Sequence, residues 1–360
     1  MGFSSNSPAS ISGEELALRR RPFRLDGGSC MRSICPRGIG ISRGLQLPTL
    51  RGGIEAATSP AAVLRHRGRG KRDGVVVIMG ATGTGKSKLS IEVATRIPGE
   101  VVNADKIQVY RGLDITTNKM PLPDRREVPH HLLGKIDPAA GELSPAAFRS
   151  LAWSAMSGIA ARGRLPVVTG GSNSFIHAML VDRYDPGEDP FAAAPSSAAR
   201  RLRCPCCLLW VDVEKAVLAE HLDRRVDEML GMGMLEELER YFACESPDEA
   251  ERHRGLGKAI GVPEFRGYFR RRTPAAFKEA VAAIKDNTRR LAEEQVRKIE
   301  RLAQMGWPVN RLDATAAISG GRHSAAAAWQ RDVVGPCLCA VERFVEEVEP
   351  ARQQHLPALN

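Results

Sequence analysis

The stretch Val75-Val76-Val77-Ile78-Met79-Gly80-Ala81-Thr82-Gly83-Thr84-Gly85-Lys86-Ser87 decides how this chain is read. Its first five residues form a short β-branched run closed by a methionine, the pattern of a strand buried on both faces of a parallel sheet. Gly80 to Ser87 then match G-x-x-x-x-G-K-[S/T] in full, and Lys88-Leu89-Ser90-Ile91-Glu92-Val93-Ala94 continue at helical spacing. A glycine-rich turn between a strand and a helix is built for phosphate. Across Gly80, Ala81, Thr82, Gly83, Thr84 and Gly85 the small residues let successive backbone N–H groups converge on phosphate oxygens. The helix N-terminus adds positive potential. Lys86 supplies a full charge, and the Ser87 hydroxyl is the candidate ligand for Mg²⁺. The loop marks a polyphosphate site. By itself it leaves kinase, ATPase and transferase open.

Working outward, Glu100-Val101-Val102-Asn103, Leu165-Pro166-Val167-Val168-Thr169 and Leu208-Leu209-Trp210-Val211 read as further strands, and Phe148 to Arg162 as an Ala-rich helix. Strands alternating with helices imply an α/β fold, a P-loop doubly wound parallel sheet flanked by helices. From about Val213 the pattern turns helical. Thr273 to Met305 carries Phe277, Val281, Ile284, Leu291, Val296, Ile299 and Leu302 as one apolar stripe. Thr273-Pro274 suit an N-cap and first turn, and Gly306 suits the stop. The expected organisation is a leader over 1–72, a P-loop core over 73–212, a mainly helical C-terminal part over 213–350 and a tail over 351–360.

Two acids stand where a phosphate-binding sheet would use them. Asp212, after Leu208-Leu209-Trp210-Val211, is a formal candidate for the Mg²⁺-organising carboxylate of an ATPase, although such an acid more often caps the next helix. Asp105 follows the second strand within Asn103-Ala104-Asp105-Lys106-Ile107-Gln108-Val109-Tyr110-Arg111-Gly112, at the edge of an α/β sheet where ligands bind. There it can reach whatever sits beside the loop's phosphates, or serve simply as a cap.

Together with the loop, this segment resembles the isopentenyltransferases, which move a dimethylallyl group onto the N6 of adenine. The resemblance continues through Thr116-Thr117-Asn118-Lys119, Val128-Pro129-His130-His131-Leu132-Leu133 and Gly170-Gly171-Ser172-Asn173-Ser174-Phe175-Ile176. It includes Arg225-Val226-Asp227-Glu228-Met229, Ala259-Ile260-Gly261-Val262-Pro263-Glu264-Phe265, Asn287-Thr288, Leu291-Ala292, Gln295 and Arg311-Leu312-Asp313-Ala314-Thr315. The chain is more similar to the plant branch that prenylates free adenine nucleotides than to the branch that prenylates tRNA. It has Gly-Ala-Thr where tRNA enzymes usually begin Gly-Pro-Thr, Asp105-Lys106-Ile107-Gln108 where they tend to have Asp-Ser-Arg-Gln, and Gly-Gly-Ser-Asn-Ser where they have Gly-Gly-Thr-Gly.

The resemblance implies that the loop grips the diphosphate of dimethylallyl diphosphate. It also implies that Asp105 accepts or hydrogen-bonds an N6 proton, that Thr82 contacts the reacting nitrogen, and that Lys86, Ser87 and Mg²⁺ offset charge on the leaving diphosphate. Arg225 is a candidate second diphosphate clamp. Lys258 and Lys298 are candidates for the β and γ phosphates of an ATP or ADP acceptor, and the helical part would complete the acceptor site. His130-His131 reads as structural. The expected partners are small molecules, with tRNA disfavoured, no membrane, and a monomer as the working unit. The competing readings are a tRNA dimethylallyltransferase, a small P-loop kinase and a nucleic-acid-binding module.

Composition narrows these further. The 360 residues carry 52 Lys plus Arg against 42 Asp plus Glu, a net of +10 that first suggests a nucleic-acid partner. Yet residues 1–72 hold 13 basic and four acidic side chains, so nearly all of the surplus sits there and the remainder is close to neutral. An Arg-rich, Ser-containing, acid-poor leader has the composition of an organelle transit peptide, plastid first and mitochondrion second, with Glu14-Glu15 against the pattern. A basic tail is the alternative. No apolar run approaches the roughly 18 residues of a membrane span. Cys204-Pro205-Cys206-Cys207 holds a C-x-x-C without a second pair at zinc spacing, so thiols beside a buried strand are expected.

Overall fold

Alternate residues of the first strand, β1 (Val75–Gly80), enter opposite cores. Val75, Val77 and Met79 join one hydrophobic cluster and Val76 and Ile78 the other. A strand apolar on both faces requires helices on both, and the computed structural model, which describes residues 74–192, 200–244 and 253–348, has them. The leader and tail expected at 1–72 and 351–360 lie outside the described residues.

The sheet has six parallel strands in the order β3-β2-β4-β1-β5-β6: β2 (Gly99–Asn103), β3 (His130–His131), β4 (Leu165–Thr169), β5 (Cys206–Asp212) and β6 (Val309–Asp313). Gly80 lies opposite Val211 and Asn103 opposite Thr169, so the strands' C-terminal ends form one edge. The helices are α1 (Lys86–Arg96), α2 (Pro145–Ala161), α3 (Asn173–Leu180), α4 (Lys215–Gly231), α5 (Met234–Cys244), α6 (Val262–Arg271), α7 (Pro274–Gln304), α8 (Thr315–Ser319), α9 (Arg322–Ala328) and α10 (Gly335–Val348). A π-helical turn, Trp329–Val334, joins the last two.

The four strands expected from apolar runs are present. β3 and β6 carried no such signal: one is two histidines, and the other, Val-Asn-Arg-Leu-Asp, is an edge strand with only Leu312 buried. The helical C-terminal part therefore also supplies a strand.

α7 starts as its sequence indicates. The Thr273 hydroxyl accepts the Ala276 N–H at 3.2 Å, Pro274 opens the first turn, and Gly306 at φ 92° follows the last. Its buried face differs from the stripe read in the sequence. Leu291 is exposed, and the seam runs Ala276, Ala280, Ile284, Thr288, Ala292, Gln295, Ile299, Leu302. Ile284, Ile299 and Leu302 of the expected stripe lie in it, while Gln295 faces the turn after β4, whose Gly171 carbonyl it meets at 3.0 Å.

Candidate active site

The phosphate loop leaves β1 at Gly80 and enters α1 at Lys86. The ammonium of Lys86 is buried and donates to the Ala81 carbonyl at 2.6 Å, folded over the loop it would serve. Burial pushes its pKa down to about 8; Asp105 pulls it back up and Arg225 adds a smaller push down. The Thr84 hydroxyl donates to the same carbonyl at 3.0 Å. Ser87 is half-buried at the start of α1, its hydroxyl without a hydrogen bond to another described residue.

Asp105 lies two residues beyond β2. One carboxylate oxygen accepts the N–H groups of Ile107 (2.9 Å) and Gln108 (3.1 Å), capping the turn that follows. The other oxygen accepts nothing among the described residues. Cap and candidate base are thus compatible: one oxygen anchors the side chain and leaves its neighbour available. Asn103 fixes the approach, donating to the Leu132 carbonyl at 3.1 Å.

Arg225 arrives from α4. Its guanidinium donates to the Thr82 hydroxyl at 2.9 Å, while its buried Nε has no partner among the described residues. Burial pushes its pKa down to about 10, with Asp105 and then Glu228 pulling it up. Lys86, Arg225 and Asp105 therefore share one electrostatic neighbourhood around Thr82. A buried Lys86 and a half-buried Arg225 with an unsatisfied N–H converge on Asp105, with Glu228 beside Arg225, and that arrangement suits an added anion.

Gln295 was legible only as part of a motif, without a role. Its carbonyl oxygen accepts the Thr82 N–H at 2.7 Å and its amide donates to the Gly171 carbonyl at 3.0 Å. It thereby staples the phosphate loop to the turn after β4. A β-carbon on Gly171 would lie 2.3 Å from the Gln295 nitrogen, so this approach needs glycine. Asn173, at the start of α3, holds the Gln295 backbone carbonyl at 2.9 Å. No local pattern signals a contact made across 213 residues.

Asp212 accepts Arg311 through Nε (2.8 Å) and a terminal nitrogen (2.6 Å), an ion pair joining β5 to β6. Its carboxylate neither organises the loop nor caps α4; Glu214 caps α4 by accepting the Ala216 and Val217 N–H groups. Lys258 meets Glu142, which also binds Lys106 at 2.6 Å, so it stands beside the residue that follows Asp105. Lys298 lies 5.5 Å over the Phe191 ring, one turn beyond Gln295, and touches none of the loop, Asp105 or Arg225 among the described residues. His131 bonds Glu100 at 2.7 Å and His130 bonds the Val128 carbonyl, which places both in the sheet's framework. The Cys206 thiol donates to the Cys204 carbonyl at 3.1 Å, Cys207 is buried, and the described residues hold no group of three or more metal-ligating side chains.

With this geometry in place, comparison with known proteins is direct. Residues 108–204 and 184–301 match the IPP transferase family. An adenylate isopentenyltransferase of Humulus lupulus is 50% identical over 295 residues, covering 75% of this chain and 90% of the relative. This chain belongs to the IPP transferase family. Adenylate isopentenyltransferase 1, chloroplastic, of Arabidopsis thaliana is 47% identical over 301 residues, 78% of this chain and 84% of that one. Among solved structures, a eukaryotic dimethylallyltransferase acting on tRNA superposes with a TM-score of 0.63 at 24% identity, over 78% of this chain and 81% of its own, a likeness of fold. In this IPP transferase the family match begins at Gln108 and stops at Arg301, so the phosphate loop and everything after α7 lie outside it.

Proposed function

We propose that this chain transfers a dimethylallyl group from dimethylallyl diphosphate to the N6 of the adenine of ATP or ADP, with AMP a weaker acceptor and tRNA disfavoured. The observation that carries the reading is the convergence of Lys86, Arg225 and the unengaged oxygen of Asp105 around Thr82. Asp212, the carboxylate that an ATP-hydrolysing P-loop would bring to its metal, pairs through one oxygen with Arg311 of β6. The relatives at 47–50% identity carry the name adenylate isopentenyltransferase, which supports the nucleotide acceptor.

The exocyclic amine of adenine is a weak nucleophile because its lone pair is delocalised into the ring. The free Asp105 oxygen accepts an N6 proton as nitrogen attacks the allylic C1, and the C1–O bond to diphosphate breaks. Lys86, Arg225 and the loop N–H groups meet the negative charge gathering on the departing diphosphate. Thr82, held by Arg225 and Gln295, stands beside the reacting nitrogen. Mg²⁺, when bound, adds charge neutralisation on the diphosphate oxygens. Ser87, its hydroxyl unengaged among the described residues at the head of α1, is the loop side chain that would hold the ion. Lys258 and Lys298 serve the acceptor's outer phosphates. The protein works as a monomer in the plastid, consistent with the chloroplastic name of its Arabidopsis relative.

The test supplies full-length protein with dimethylallyl diphosphate, Mg²⁺ and AMP, ADP, ATP or an anticodon stem-loop in parallel. N6-prenylated ADP and ATP are expected, and a product on the stem-loop alone would move the assignment to tRNA. In Asp105→Asn, kcat should fall by about 10²–10⁴ with the donor KM little changed. A fall of only a few-fold removes Asp105 as the base.

A further inference from the structure

The phosphate loop is braced at both ends, and only one brace comes from the part of the chain that matches the family. At Thr82 the brace is Gln295. At Gly85 it is Trp329, 28 residues beyond the end of the match. Gly85 caps α1 in the left-handed conformation, φ 89°, and turns its α-carbon onto the indole. A β-carbon there would lie 2.7 Å from Cη2 and 2.9 Å from Cζ3 of the ring. Lys88, from the first turn of α1, places its ammonium 4.8 Å from the ring's centre. The ring is 4% exposed, and its buried N–H has no partner among the described residues.

An orphaned indole N–H is a poor choice for mere filling, since an aliphatic side chain would occupy core volume without it. What this position uses is the reach of the ring, because the atoms against Gly85 belong to the far edge of the six-membered ring. Trp329 also opens a π-helical turn, a distortion that recurs where a helix must place one side chain against a site. The N–H groups from Gly85 to Ser87 are those that would receive phosphate oxygens. Fixing Gly85 therefore fixes their aim.

We propose that Trp329 is the positioning residue of the phosphate loop: it holds Gly85 so that the loop's N–H groups converge before the diphosphate arrives, and its emission reports that arrival. The inference rests on the loop being a diphosphate site. Without the ring the loop is free to drift, and binding must then bear the cost of ordering it. The penalty falls on the donor, not on the acceptor or on proton transfer at Asp105.

The experiment uses the full chain with Mg²⁺ and inorganic pyrophosphate, read by calorimetry and by tryptophan emission, for wild type, Trp329→Phe and Trp329→Ala. Affinity should fall with ring size, about threefold in the phenylalanine variant and about tenfold in the alanine variant. The saturable emission change of the wild type should vanish in both, although Trp153, Trp210 and Trp307 remain. The donor KM should rise in parallel while the acceptor KM holds. Pyrophosphate affinity within twofold of wild type in the alanine variant, or an emission change that survives in the phenylalanine variant, overturns the proposal. Should the alanine variant fail to fold, the phenylalanine variant decides by the same two readings. Because pyrophosphate binding is read without turnover, the series judges Trp329 even in an enzyme that prenylates none of the acceptors.

Discussion

Lys86 is charged only while its burial is tolerated, and that sets a pH window. Its pKa in the folded, ligand-free protein lies near 8, below the ordinary 10.5, chiefly through desolvation. Between pH 8 and 10.5 the unfolded chain holds more protons at this site than the folded one. The cost of burying a charged Lys86 is therefore present below pH 8 and fades as pH rises towards 10.5. Diphosphate favours the protonated form, so its affinity should be flat up to about pH 8 and then weaken, approaching tenfold per unit. An ordinary lysine would hold that limb off until above pH 10. Calorimetric titration of Mg²⁺-pyrophosphate from pH 6.5 to 9.5 checks this; an affinity unchanged across pH 8 to 9.5 contradicts it. Arg225, held near 10, stays charged through pH 8 to 9 and begins to titrate only at the top of the range.

Strand β3 shows how an element too short to hold itself is held. Two residues of ladder add little, so the strand depends on Glu100 of β2, whose carboxylate takes His131 at 2.7 Å and Arg162 at 2.6 Å and 2.9 Å. Arg162 first, and His131 after it, hold the Glu100 carboxyl at about 2. The sign follows: a depressed carboxylate contributes stability that is complete above pH 4.5 and is lost as pH falls towards 2. Glu100→Gln should lower Tm by about 2–5 °C at pH 7, and the deficit should shrink below pH 4. Thermal melts of both proteins across that range test it, and an equal deficit at pH 3 and pH 7 rules it out. This strand also marks the limit of reading elements from sequence. β1, β2, β4 and β5 announce themselves as β-branched or apolar runs because both their faces are buried, whereas β3 and β6 are edge strands specified by partners far along the chain. α7 was legible in its ends and length, since capping is local. Its buried face was not, because the exposure of Leu291 and the burial of Gln295 depend on what the helix passes. The site divides the same way: the loop, Asp105 and Arg225 stand in recognisable patterns, while Gln295 and Trp329 act through contacts that only folding creates.

At the scale of the whole molecule, charge separates what carries the protein from what it does. Nearly all of the +10 belongs to residues 1–72, and the near-neutral remainder holds the sheet edge, the loop, Asp105 and Arg225. On the proposed reading, a near-neutral body meets its anionic substrates through a few aimed groups more than through a field spread over its surface. Its affinity for small diphosphates should therefore depend weakly on salt, and its affinity for RNA should be low and collapse between 50 and 200 mM salt. Removing residues 1–72 should leave kcat/KM for ADP and dimethylallyl diphosphate within about twofold, since the loop, Asp105 and Arg225 proposed to meet substrate all lie beyond them. The same deletion should abolish organelle import of a fluorescent fusion, which residues 1–72 alone should restore, in plastids if the address is plastidic and in mitochondria if it is not. Kinetics of the full and shortened chains at both salt concentrations, beside imaging of the two fusions, separate these roles. A shortened chain that has lost its transferase activity, while its far-UV spectrum and Tm match the full chain, would place the leader within the catalytic machinery and undo the partition.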